Sequence, residues 1–194
     1  MKTALTVIHD EHRTLSAVIH GLLYLVDEIR EGRRKPNFQV LRAMVHYIDT
    51  FPEKMHHPKE DRYLFARLRG RSTEATAVLD QLEAEHIHGA KLIRDLEQDL
   101  LRWEMGGPND FIQFADDVKR YADFHWHHMR QEEEVVLPLA ERALTEDDWR
   151  DIDAAFAGNA DPLIGRVVEK DFDELFKRIV NIAPPPIGLG EQTR

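Results

Sequence analysis

Apolar residues recur every three or four positions along most of the chain, the spacing of one face of an α-helix. Over residues 3–31 the stripe is Leu5, Ile8, Leu15, Val18, Ile19, Leu22, Leu23, Val26 and Ile29, and Gly32 is expected to end it. A loop of Gly32-Arg33-Arg34-Lys35-Pro36-Asn37 leads to a second helix, predicted from about Phe38 to Leu68, with Val40, Leu41, Met44, Val45, Ile48, Phe51, Met55, Leu64 and Phe65 on its apolar side. Pro52 and Pro58 interrupt it, and an interior proline costs roughly 3 kcal/mol in a regular helix. The second helix is therefore read as kinked but continuous. Gly70-Arg71-Ser72 makes a turn, and Ser72 or Thr73 is the expected cap of a third helix running to about Met105. Gly106-Gly107-Pro108-Asn109 closes it, and a fourth helix follows from near Asp110 to near Leu144. Short connections make successive helices antiparallel, so an all-α, up-down-up-down four-helix bundle is expected over 1–144. A C-terminal extension over 145–183 reads as a short helix capped at Thr145 and ending near Phe156, then an amphipathic helix from about Arg166 to Ile182. That last helix would cover an end of the bundle or make a homodimer contact. Pro184-Pro185-Pro186 ends it, and 184–194 reads as a flexible tail.

Composition changes this picture by exclusion. A net charge of -10 argues against a nucleic-acid binder, which needs a basic face. Cysteine is absent, so disulfides, thiolate nucleophiles and iron–sulfur ligation are excluded. With eleven histidines and no cysteine, any metal must be held by imidazole and carboxylate, which suits iron, manganese, zinc or copper. No stretch approaches the ~20 apolar residues of a membrane span, and no leader is evident, so a cytoplasmic protein is expected.

The helices carry a repeated pattern of such ligands. His56 and Glu60 in the second helix recur as His128 and Glu132 in the fourth, 72 residues later, and Phe65 recurs as Leu137. Positions four apart lie one turn apart on the same face, so each pair aims an imidazole and a carboxylate at one spot. Glu11-His12 in the first helix recurs as Glu85-His86 in the third, 74 residues later. His12 lies between Ile8 and Leu15 on the buried face, and His9 is three residues earlier. The candidate metal set is thus His12, His56, Glu60, His86, His128 and Glu132, with Glu133 as an alternative to Glu132; Asp61 and Glu133 are also candidates for an outer layer of the site. Carboxylates can bridge two cations while imidazoles fill terminal positions, and buried glutamates without a cation would be costly. His57, His125 and His127 are read as surface or outer residues, His88 as pointing elsewhere, and Trp103 and Trp126 as core.

These residues resemble the hemerythrin-like, or HHE cation-binding, family over nearly all of 5–142. The resemblance implies a non-heme centre of two carboxylate-bridged iron ions that takes O₂ or NO, for sensing, storage or delivery. One departure stands out. Oxygen-carrying hemerythrins place a further histidine one turn after the helix-three ligand, where this chain has Ala90. One iron is then short of a ligand, to be met by water, a small ligand, His9, His57 or His125. A set of four histidines is similar to bacterial di-iron proteins linked to nitric oxide and iron–sulfur repair, although their N-terminal cysteine segment is lacking here. A di-iron oxidase or peroxidase acting on peroxide, and a bundle with structural zinc or no metal, are the competing expectations. Ferritin-like bundles use Glu-x-x-His on two helices with lone glutamates on the others. Glu53-x-x-His56 and Glu83-x-x-His86 match that motif, but His125 stands where helix four would need the glutamate.

Overall fold

The computed structural model describes residues 3–157, and among these there is no strand. Helix α1 spans Thr3–Arg30. It ends at Gly32, whose φ of 70° lets Arg33 N–H turn back to the Glu28 carbonyl at 2.9 Å. The second rod, α2, covers 38–71. It starts at Asn37, whose side-chain oxygen accepts from Val40 N–H at 3.2 Å. Helix α3 is Thr76–Gly106, α4 covers 111–143, and α5 is Glu146–Ala157. Among these rods α1 packs on α2 and α4, and α3 packs on α2 and α4. This is the cyclic neighbour order of an up-down-up-down bundle.

The two proline-bearing rods are continuous, and they pass the prolines by widening. In α2 the α-helical Phe38–Thr50 gives way to π-helical turns at Pro52–His56 and Glu60–Phe65 before Ala66–Arg71 closes it. In α4 a π turn occupies Glu132–Val136 between Phe111–Gln131 and Leu137–Ala143. The residues before Pro58 and Pro138 show the mechanism. His57 N–H donates five residues back to Pro52, and Leu137 N–H five residues back to Glu132. The ring of Pro58 or Pro138 crowds the preceding turn and supplies no N–H, so the turn opens to the wider spacing.

The cap expected at Ser72 or Thr73 is not formed. Both residues lie in the connection, where Thr76 N–H bonds the Thr73 carbonyl at 3.3 Å, and no side chain caps α3. Ala75 takes the cap position in a helical conformation and is fully buried, so apolar anchoring outweighs side-chain capping there. Thr145 does cap α5: Asp148 N–H donates to its hydroxyl at 3.3 Å, and Thr145 N–H donates to the Asp148 carboxylate at 2.9 Å. The expected helix over 166–182 and tail over 184–194 lie outside the described residues. No described helix is long and apolar enough to cross a membrane.

The core is divided. One apolar cluster runs from Leu15 and Ile19 through Met44, Ile48 and Leu96 to Phe114 and Tyr121. A second gathers Ile8, Leu64, Phe65, Leu79, Leu82, Val136, Trp149 and Phe156 at the other end. Between them lies a slab of buried polar side chains: Glu11, His12, His56, His57, Glu60, His86, His125, His128 and Glu132.

Candidate metal centre

All six residues predicted from the repeat meet in that slab. His12, His56, His86 and His128 come from four different rods, and Glu60 and Glu132 come from the π turns of α2 and α4. His12 and His56 bring their Nε2 atoms to 3.1 Å. The rings of His86 and His128 lie 4.8 Å apart on the opposite side. Each glutamate spans the two sides. Glu60 Oε1 lies 3.3 Å from His56 Nε2, and its Oε2 lies 3.8 Å from His86 Nε2. Glu132 Oε2 lies 3.3 Å from His12 Nε2, while its Oε1 lies 3.3 Å from His128 Nε2 and 3.6 Å from His86 Nε2.

Behind every imidazole stands a second carboxylate. Nδ1 of His56 meets Glu11 at 2.6 Å, Nδ1 of His128 meets Glu85 at 2.9 Å, Nδ1 of His12 meets Glu133 at 2.9 Å, and Nδ1 of His86 meets Asp61 at 2.8 Å. With Nδ1–H donated outward, each Nε2 lone pair is left to face the centre. The four pairs follow the internal repeat. Glu11 and Glu85 each orient the histidine of their own hairpin, and Asp61 and Glu133 each orient the lone histidine of the other hairpin. This separates the two glutamates left open by the sequence: Glu132 faces the four imidazoles, and Glu133 holds His12 from behind.

The charges in the slab are unbalanced without a cation. Burial alone would keep the imidazoles neutral, but the facing carboxylates outweigh it. His86 is pushed up to about 9, against burial, by Asp61, Glu132 and Glu60, and His128 to about 10 by Glu132, Glu85 and Glu60. His12 is raised despite burial by Glu132 and Glu133, and His56 well above its ordinary value by Glu60 and Glu11. Glu132, which burial would raise, is held well below the usual carboxylate range by His128, His12 and His86. Both oxygens of Glu60 and of Glu132, and Nε2 of His86 and His128, are buried without a hydrogen-bond partner. Without a metal these carboxylates have only protonated imidazoles to face, and a metal ion is the partner that satisfies oxygen and imidazole atoms together. The donor set of nitrogen and oxygen suits iron, manganese or zinc.

Of the residues read as surface or outer, His57 and His125 are enclosed, which leaves them the outer layer of the slab and not the surface. His57 and His125 are 4% and 0% exposed, and a further acid, Glu53, whose side chain is 3% exposed, lies between them. Glu53 approaches His57 Nδ1 and His125 Nε2 at 3.4 Å each and accepts the Tyr121 hydroxyl at 3.2 Å. Helical periodicity does not place His57 inside beside His56, because successive residues of an α-helix point about 100° apart. The signal that could have found it is the flanking pair of prolines, which opens the turn. His9 stays at the rim, 46% exposed and 3.5 Å from Glu133. His127 and His88 are exposed. Trp103 is core as expected, whereas Trp126 is half-buried against His20.

A model of the hemerythrin HHE cation-binding domain matches residues 3–140. The chain belongs to that family. The family match covers three rods and all but the last residues of α4, with all six convergent residues, and its cation-binding character agrees with the His/Glu clusters found at the centre. No curated protein is similar enough in sequence to be matched.

Proposed function

We propose that this hemerythrin-domain protein is a non-heme di-iron protein that binds a small diatomic ligand, O₂ or NO. The observation that carries the reading is the set of four inward Nε2 atoms around four buried, unpartnered carboxylate oxygens. His12 and His56 would hold one ion and His86 and His128 the other, with Glu60 and Glu132 shared between them. Iron in such a set supplies one-electron chemistry and positions at which a diatomic molecule can bind. The chain's own contribution is positional. The four outer carboxylates fix the tautomer and direction of each imidazole, and the apolar clusters above and below keep bulk water from the slab. A surface groove between α1 and α4, lined by His9, Arg13, Met129 and Glu133, reaches His12 and offers a small molecule a way in.

The test is absorption spectroscopy of protein loaded anaerobically with ferrous iron, then exposed to O₂, NO or peroxide. A ligand band that forms and is reversed on removing the gas is the expected result. Sustained consumption of peroxide would move the protein to the oxidase or peroxidase reading. A spectrum without features after iron loading would leave only a structural metal, such as zinc.

A further inference from the structure

The four outer carboxylates are alike in geometry but not in their contact with water. Their side chains are 39% exposed at Glu133, 36% at Asp61 and 17% at Glu85, whereas Glu11, behind His56, is 3% exposed. His56 therefore sits in a closed corner of the slab, between α1 and α2. The element over that corner is α5. It packs on α1 and on the π turn of α2 that carries Glu60. The Phe156 ring meets the His56 ring edge-on, at 6.5 Å and 81°. The family match ends at residue 140 and α5 begins at Glu146, so this cover is built from chain beyond the matched domain. Its apolar side, Trp149, Ile152 and Phe156, is buried in the near cluster. Its polar anchors lie around the edge: Arg67 meets Asp151 at 2.8 Å, and Ala4 N–H donates to Asp153 at 2.7 Å.

An imidazole lets go of an ion by turning away into space where water can solvate it. Behind His12, His86 and His128 the outer acid already touches water. Behind His56 the way is closed by buried Glu11 and by Phe156, so His56 can turn only after α5 lifts, a local opening with a free energy of its own. Resting on the di-iron reading above, we propose that α5 is a retention latch. It closes the His56 corner, and its local opening sets the rate at which the ion on the His12–His56 side is released. The ion on the His86–His128 side needs no such opening and leaves faster. Packing alone accounts for a buried Phe156, but it does not make the two ions leave at different rates.

The experiment follows release of ferrous iron from the loaded full chain into the chelator bipyridyl without oxygen, read by the colour of the chelate. Wild type shows two phases of equal amplitude. In Phe156→Ala the slow phase quickens at least about tenfold while the fast phase is unchanged. Phe114→Ala removes the same side chain from the other apolar cluster, and it leaves both phases within about twofold of wild type. Asp153→Ala frees α5 from the start of α1 without touching the core, and it also quickens the slow phase. If Phe156→Ala does not fold, that variant carries the test. Hydrogen exchange of the 146–157 amides in metal-free protein quickens in Asp153→Ala and Phe156→Ala but not in Phe114→Ala. A single release phase in wild type, or equal quickening in Phe156→Ala and Phe114→Ala, overturns the latch. So does a slow phase that Asp153→Ala leaves unchanged while its α5 amides exchange faster. Wild type that takes up no iron overturns the di-iron reading itself, a visibly different result.

Discussion

An imidazole can present either nitrogen, and in this protein the choice is made by what stands behind Nδ1. Glu11, Asp61, Glu85 and Glu133 each occupy that place, and none of them touches the centre directly. Replacing Glu85 by Gln should keep the fold yet weaken iron binding about 10- to 100-fold, because the amide no longer enforces the tautomer that presents Nε2 of His128. Isothermal titration with ferrous iron checks this. Removing a convergent residue is more severe: His56→Ala and Glu60→Ala should each lose most of the bound iron, as measured by metal analysis of the purified proteins. The inward residues were legible in the sequence because His-x-x-x-Glu repeats at a fixed offset and helical geometry needs no partner to be read. The acids behind them were only half legible. Glu11 and Glu85 stand beside the histidines of α1 and α3 yet serve those of α2 and α4, a pairing that only the packing of rods creates.

At the scale of single helices, prolines shape the rods that carry the glutamates. The π turns at Pro52–His56, Glu60–Phe65 and Glu132–Val136 all lie at the level of the slab. In Pro58→Ala a backbone N–H is regained and the α-helical spacing becomes accessible. The metal-free variant should melt no lower than wild type, while its iron affinity falls about tenfold because His56 and His57 can no longer both turn inward. Calorimetry with and without iron separates the two effects.

The seam between α3 and α4 carries a different device. Asp99 and Asp117 are both buried and are close enough to shift each other's titration, with Arg102 and Arg120 paired to them from outside. Burial and then the neighbouring Asp117 push Asp99 up to about 6, whereas Asp117 is lowered, despite burial, by Asp99, Gln113 and Arg120. The folded state therefore favours a proton on Asp99. That contribution is complete below about pH 4 and is lost as pH rises through about 6. An amide stays uncharged at every pH, so Asp99→Asn should add about 1 kcal/mol at pH 8 and almost nothing at about pH 3.5, below the unfolded value. Thermal melts of the metal-free variant and wild type at the two pH values test the sign.

Across the whole molecule, two apolar clusters clamp a polar layer, and the stability of that layer depends on what it binds. Two ions held at about a thousand times their dissociation constants would each add about 4 kcal/mol. Chelation should therefore lower the melting temperature by roughly 10 °C or more. A chelated protein that melts where the loaded one does would argue against the buried site as the place of binding. Helix α5 seals the near end: Ala4 N–H donates to Asp153 at 2.7 Å, Arg71 pairs with Asp148 at 2.8 Å, and Phe156 lies fully buried with its ring 6.5 Å from that of His56. Phe156→Ala should cost about 3–5 kcal/mol by opening a cavity beside His56, measured by denaturant unfolding.

The four rods, their antiparallel order and the six inward residues could be deduced from the chain alone, because hydrophobic spacing and the His/Glu repeat are local signals fixed by helix geometry. The start of α3 at Ala75, the separate duties of Glu132 and Glu133, and the entry of His57, His125 and Glu53 into the slab could not. Each depends on a turn that opens to π spacing or on a residue facing a different rod, and neither is determined until the helices are packed.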